Sequence, residues 1–167
     1  PAPKAKKKSF GVGMEFSAFF PTDKDIIRAF SSSTYSLGLT PTSIYFKEGN
    51  HFVWDLAFNG DSQNGNRYFS VVPSFGYMSV LSSEGSASSF KPYFAARVGP
   101  AYTDYSVGYT GFARVKGRKF GWNANAEVGL FLTDKIRISA RYDKFSELDG
   151  LDFGGLRTAI TWQFARF

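Results

Sequence analysis

Residues 120–145, FGWNANAEVGLFLTDKIRISARYDKF, alternate so strictly that few folds can accept them. Every even position from Phe120 to Leu132 (Phe120, Trp122, Ala124, Ala126, Val128, Leu130, Leu132) is apolar. The odd positions between them (Gly121, Asn123, Asn125, Glu127, Gly129) are polar or small until Phe131. A repeat of two is the signature of a β-strand. After Thr133-Asp134-Lys135 the alternation resumes, with Ile136, Ile138, Ala140 and Tyr142 on one face and Arg137, Ser139, Arg141 and Asp143 on the other. Two long strands joined by a short turn form a hairpin. A membrane-crossing strand needs about 9–11 tilted residues, an apolar outer band and aromatic girdles at its ends. Phe120 and Trp122 supply one such girdle.

The composition is consistent with this reading. The chain has 167 residues, room for one domain of eight hairpin-connected spanning strands. Its mean hydropathy of −0.21 is expected of a barrel, where only every second residue meets lipid. No run of 18 apolar residues is present, so a transmembrane helix is excluded on length. An aromatic content of 19% exceeds the needs of a small soluble core and suits girdles. Without cysteine there are no disulfides or thiolate metal sites, and a single histidine removes most imidazole-based ones, so neither a metal nor a cofactor is expected. The net charge is +6, but Lys4, Lys6, Lys7 and Lys8 account for four of it, and 6 − 4 leaves +2. The basic balance is therefore mostly a tail, and nucleic acid is not an expected partner.

Residues 1–8, PAPKAKKK, read as a flexible basic extension, and residues 9–167 as the barrel. Strand one places Phe10, Val12, Met14, Phe16, Ala18 and Phe20 outward and Gly11, Gly13, Glu15 and Ser17 inward. In the loop that follows, Thr22 and Asp25 are placed to cap a helical turn carrying Ile26, Ile27 and Phe30. Strand two turns Tyr35, Leu37 and Leu39 outward; Pro41, unable to donate to a ladder, marks a bulge or weak pairing, and Ile44-Tyr45-Phe46 precede a turn at Lys47–Asn50. Strand three turns Phe52, Trp54, Leu56 and Phe58 outward and His51, Val53, Asp55 and Ala57 inward. Gly60–Asn66 reads as a loop. Strand four sets Phe69, Val71, Pro73, Phe75, Tyr77 and Leu81 against Ser70, Ser74 and Gly76, and SSEGSASS is a turn. Strand five sets Phe94, Ala96 and Val98 against Ala95, Arg97 and Gly99. Residues 104–119 read as the longest outer loop and KFSELDGLD as the fourth. Strand eight turns Leu156, Thr158, Ile160, Trp162 and Phe164 outward, alternating with Arg157, Ala159, Thr161 and Gln163.

This pattern resembles the small outer-membrane β-barrels of the OmpA, OmpX and OmpW type. The resemblance implies an all-β, eight-stranded, antiparallel up-and-down transmembrane barrel of the bacterial outer membrane, with both termini periplasmic, four long outer connections and three short turns. A last strand ending apolar-x-aromatic-x-Phe resembles the signal read by the barrel-assembly machinery, a role open to either Phe164 or Phe167. A soluble eight-stranded barrel would be apolar inside and charged outside, whereas here the charges share the face opposite the aromatics, and a charge toward lipid costs about 2–4 kcal/mol near the midplane.

Three groups of residues follow as candidate sites. Glu15, Asp55, Arg97, Glu127, Arg137, Arg141, Asp143 and Arg157, four acids and four bases, face the lumen, where buried ions persist when paired. A salt-bridged core without a continuous channel is the expected outcome, with a charge-lined pore as the alternative. Phe120, Trp122, Tyr142, Trp54, Trp162 and Phe164 form the girdles. Arg114, Lys116 and Arg118 share parity with Phe120; if strand six extends upward past the membrane, all three face outward above the girdle, where lipopolysaccharide phosphates lie and guanidinium groups bind oxyanions well, the alternative being a solvated loop edge. Tyr105, Tyr109 and Phe112 are placed for a protein contact. Several barrels of this type modify lipid A with a reactive His and Ser near the outer leaflet. Here His51, inward with Asp55, lies beside a periplasmic turn, and the outer loops hold no histidine. The expected role is non-enzymatic, structural or interacting, with outer-membrane lipids, lipopolysaccharide and other outer-membrane proteins as partners and an accessory place in a larger assembly. An OmpW-like small-solute channel is the alternative, and a lipid A-modifying enzyme the third.

Overall fold

The computed structural model describes residues 11–41, 48–81 and 90–166, excluding the side chain of residue 166. The basic extension, Phe10, Ile44-Tyr45-Phe46, the SSEGSASS turn and Phe167 lie outside the described residues. Eight strands, β1 (Gly11–Pro21), β2 (Thr34–Pro41), β3 (Gly49–Gln63), β4 (Asn66–Val80), β5 (Lys91–Tyr109), β6 (Phe112–Phe131), β7 (Ile136–Phe145) and β8 (Gly155–Arg166), close into a barrel in sequence order. All pairings are antiparallel, and β1 meets β8 to complete the ring. Closure into a ring is the condition a membrane-spanning sheet requires.

The registers fix the tilt. Starting from Phe120, the hydrogen-bonded row runs through Tyr102, Val71, Phe58, Leu37, Phe16, Ile160 and Ile138 and returns to β6 at Leu130. The stagger is 130 − 120 = 10 residues for eight strands. A stagger of this size tilts strands by about 35–45° and leaves an interior that side chains fill. Every residue of the row is an apolar one of the outward face, so the parity read from the sequence holds around the whole wall.

The outer connections differ from expectation. Gly60–Asn66 is not a loop: β3 and β4 continue to the pair Gln63–Asn66, joined by Asn64 and Gly65 at φ 52° and 73°. Two positive φ values define the turn that Asn-Gly favours in hairpins. Residues 104–109 and 112–119 are likewise strand, paired from Thr103–Lys119 to Tyr109–Phe112 and joined by a turn at 110–111. The apolar alternation stops there because the strands have left the apolar band, and the ladder goes on without it. The barrel wall is thus high on β3–β6 and low on β7, β8, β1 and β2. Over the low half lie α1 (Lys24–Ala29) and residues 146–154.

Asp23, not Thr22 or Asp25, caps α1, its side chain accepting from the backbone of Asp25 at 2.7 Å and Ile26 at 3.0 Å. Thr22 is drawn away by Gly154, whose carbonyl accepts from its backbone at 3.1 Å. Pro41 ends the described part of β2, and the β2–β3 ladder holds only from Ser36 to Leu39. Between β4 and β5, Pro73 faces the gap in pairing between Val71–Tyr102 and Phe75–Val98, where Gly76 and Gly99 let the backbones approach. A Cβ on Gly99 would lie 1.9 Å from the Pro73 carbonyl oxygen.

Candidate functional site

Alternation on a closed sheet sends Glu15, Asp55, Arg97, Glu127, Arg137, Arg141, Asp143 and Arg157 into one lumen, each at most 5% exposed. Arg141 lies at their centre. It donates to Asp55 at 2.5 Å and Glu15 at 3.1 Å, and it lies 3.4 Å from Asp143 and 3.6 Å from Glu127. Arg97 donates to Glu127 at 2.8 Å, and the Tyr93 hydroxyl donates to the other Glu127 oxygen at 2.6 Å. Arg157 donates to Asp143 at 3.0 Å and Asn59 at 2.8 Å, and also to Ser36. Arg137 differs from the other three: it bonds Thr40 at 3.2 Å and Thr161 at 3.3 Å and lies over the Tyr93 ring. Opposite charges in equal number, tied by hydrogen bonds, are the condition under which buried ions are tolerated.

Apolar layers close this ionic layer on both sides. Toward the β6–β7 turn, Val53, Met78, Val80, Tyr93, Ala95 and Phe131 pack together. Toward the high wall, Ile26, Ala29 and Phe30 bring α1 down onto Tyr68, Tyr105, Leu148, Leu151 and Phe153. Sequence reading missed these two plugs. Their signal was present as inward-parity Val53, Val72, Met78, Tyr93, Phe131 and Phe145, apolar where a water-filled lumen would be polar.

The plug corrects the reading of the aromatics near the outer end. Tyr105 is buried and donates to Asp149, and Tyr109 donates to Asp25 and stacks on Phe112 at 5.1 Å. They close the mouth instead of standing free for a partner, because residues 104–109 are strand and odd positions face inward. Outside the membrane-facing band, Asp149 also accepts from Lys119. The Lys119 and Tyr105 hydrogen bonds hold its carboxyl below the usual Asp value, and burial with the Asp149 bond pushes the Tyr105 hydroxyl up.

Arg114, Lys116 and Arg118 are exposed on the outward side of the high wall. Arg118 donates to Asp104 at 2.8 Å, and Arg114 donates to the Gly65 carbonyl at 2.9 Å and Ser106 at 3.1 Å. Lys116 has no partner among the described residues. The register adds Arg67, opposite Ser106 and 4.0 Å from Asp104, which sequence reading left in a loop margin. Arg67, Lys116 and Arg118, with Asp104, Ser106 and Gly117, line a cleft of about 360 Å³; Arg114 lies outside it. Of the girdle residues, Phe120, Trp122, Tyr142, Trp162 and Phe164 are exposed on the outer wall and Trp54 is half-buried there. His51 lies near the end opposite the high wall, while the Asp55 carboxylate is taken up by Arg141 and Ser74.

An ion-filled lumen inside an apolar wall with aromatic ends defines a small eight-stranded β-barrel of the outer-membrane type. Solved structures of such proteins share the fold. Neisserial surface protein A superposes with a TM-score of 0.59 at 14% identity, over 95% of this chain and 100% of that one. Ail of Yersinia pestis, solved with the heparin analogue sucrose octasulfate, gives 0.56 at 9% identity, over 95% and 98%. The outer membrane enzyme PagL gives 0.53 at 18% identity, over 91% and 98%. No known family profile and no curated protein matches the sequence.

Proposed function

We propose that this chain is a non-conducting, non-enzymatic barrel of the bacterial outer membrane that holds a recognition surface above the outer leaflet, with both chain ends in the periplasm. The observation that carries this is the filled lumen: among the described residues, an ionic layer whose four carboxylates are taken up by arginines lies between two apolar plugs. The work of the molecule then falls to its exterior. On the high wall, Arg114, Lys116 and Arg118, joined by Arg67, meet phosphates of lipopolysaccharide, and the apolar wall meets lipid and neighbouring outer-membrane proteins in a larger assembly. Ail, of the same fold, was solved with a polysulfated sugar, a ligand of related oxyanion chemistry. Insertion by the barrel-assembly machinery through β8 belongs to the same reading.

In planar bilayers the purified chain is expected to show no sustained single-channel conductance; a stable open level would favour the small-solute channel instead. A shifted lipid A mass on expression would favour the enzyme. Replacing Arg114, Lys116 and Arg118 together by Gln should weaken lipopolysaccharide binding by on the order of 10–100-fold, from about 1 kcal/mol per cation less what Asp104 already holds. Unchanged binding would remove the phosphate assignment.

A further inference from the structure

The two segments over the low half of the barrel, α1 and residues 146–154, are tied to each other as well as to the wall. Asp23 caps α1 with one carboxylate oxygen and with the other accepts from the Asp152 backbone at 3.3 Å. Thr22 donates to the Gly154 carbonyl from its backbone at 3.1 Å and from its hydroxyl at 3.3 Å. Beneath them, Ile26 and Phe30 share one apolar cluster with Leu148, Leu151 and Phe153.

Their links to the surrounding strands follow one rule. In each side-chain to side-chain hydrogen bond among the described residues, the covering segment supplies a carboxylate and the strand supplies the donor. Tyr109 of β5 donates to Asp25, Tyr105 of β5 and Lys119 of β6 donate to Asp149, and Lys144 of β7 donates to Asp152. The other charged groups that face these carboxylates are Arg28, 4.0 Å from Asp25 and over the Tyr109 ring, and Glu147, which acts on Lys144. Bonds that need no charge lie at the margins. There the Asn66 side chain donates to the Ala29 carbonyl at 2.8 Å, and the Ser146 backbone donates to the Trp122 carbonyl at 2.9 Å.

We infer that α1 and residues 146–154 form a single acid-released lid over the outer mouth, closed while Asp25, Asp149 and Asp152 are ionised and freed as one body when they are protonated. A carboxyl held below its ordinary value stabilises the closed form above that value, and the stability is lost as pH falls through the folded one. Asp149 is such a group, held down by Lys119 first and Tyr105 second. Once protonated, the three carboxyls no longer balance Arg28, Lys119 and Lys144, which stay charged. Release uncovers Ile26, Leu148, Leu151 and Phe153, so in acid the outer end becomes both apolar and cationic. The barrel beneath is closed by backbone ladders that carry no charge, and it outlasts the lid.

Hydrogen exchange, read by mass spectrometry on the full chain in phosphatidylcholine nanodiscs and corrected for the intrinsic rate at each pH, tests this. The comparison is between about pH 7 and about pH 3, on either side of the ordinary Asp value of about 4. Protection of α1 and of residues 146–154 should fall together by at least about tenfold, while β6 and β7 keep theirs. The triple variant Asp25→Asn, Asp149→Asn, Asp152→Asn should show the lowered protection already at neutral pH and should no longer respond to acid. Asp149→Asn alone should also lower the protection of α1, to which Asp149 has no bond among the described residues, because Asp23 and Thr22 join the two segments. Equal lid protection at both pH values, loss of the strands together with the lid, or an α1 indifferent to Asp149→Asn would each overturn the inference.

Discussion

Arg141→Ala should be among the most damaging single substitutions in the described barrel. Among the described residues the lumen holds four buried arginines and four buried carboxylates, 4 − 4 = 0; the substitution leaves 3 − 4 = −1 among them. Arg141 lies within 4 Å of all four carboxylates, and it is the only cation within that distance of Glu15 among the described residues. Removing one member of a buried ion pair costs about 3–5 kcal/mol, because the partner is left buried and uncompensated. With a urea dependence of about 1–3 kcal/mol per molar, the unfolding midpoint in lipid vesicles should fall by on the order of 2 M. Tryptophan fluorescence and the heat-dependent gel shift of the folded barrel both read the transition. Because Glu15 loses its partner in the variant, Glu15→Gln added to Arg141→Ala should recover part of the loss, a coupling that a double-mutant cycle measures. An unfolding free energy for Arg141→Ala within about 0.5 kcal/mol of the parent, or strict additivity of the two substitutions, would refute the view that the ionic layer holds the barrel together.

Gly99→Ala places a methyl group 1.9 Å from the Pro73 carbonyl oxygen, a backbone clash that no rotamer relieves, so β4 and β5 must separate. A loss of about 1–3 kcal/mol is expected in the same urea assay, and a neutral result would contradict the close approach. The Asp149 carboxyl is held below its usual value by Lys119 and Tyr105, so the stability it gives residues 146–154 is present above the unfolded Asp value of about 4 and is lost as pH falls through the folded one. Hydrogen exchange across 146–154 should therefore quicken on acidification, and Asp149→Asn should show the fast exchange already at neutral pH. Quenching by lipids brominated at defined depths should place Trp122 and Trp162 at opposite interfaces, and equal depth profiles would exclude the girdle assignment.

Much of this protein follows from local sequence. Alternation with aromatics on one face and charges on the other determined the strands, their number, the side of the wall each residue takes and the eight ions that share the lumen, because side-chain direction in a strand depends only on parity. The turns that kept their apolar flanks, such as Thr133–Lys135, were legible for the same reason. Beyond the apolar band parity no longer shows as hydropathy, so Gly60–Asn66 and residues 104–119 read as loops although their hydrogen-bond ladders continue. Tertiary structure decided which charge meets which. Arg141 reaches Glu15, 126 residues away, and Asp55, 86 residues away, across a lumen whose pairing depends on the ten-residue stagger of the closed sheet. It also decided that Tyr105 turns inward onto Asp149, that Arg67 joins the outward cations, and that β6 outruns β7. Each of these is set by the register and relative length of neighbouring strands, quantities that no stretch of sequence carries by itself.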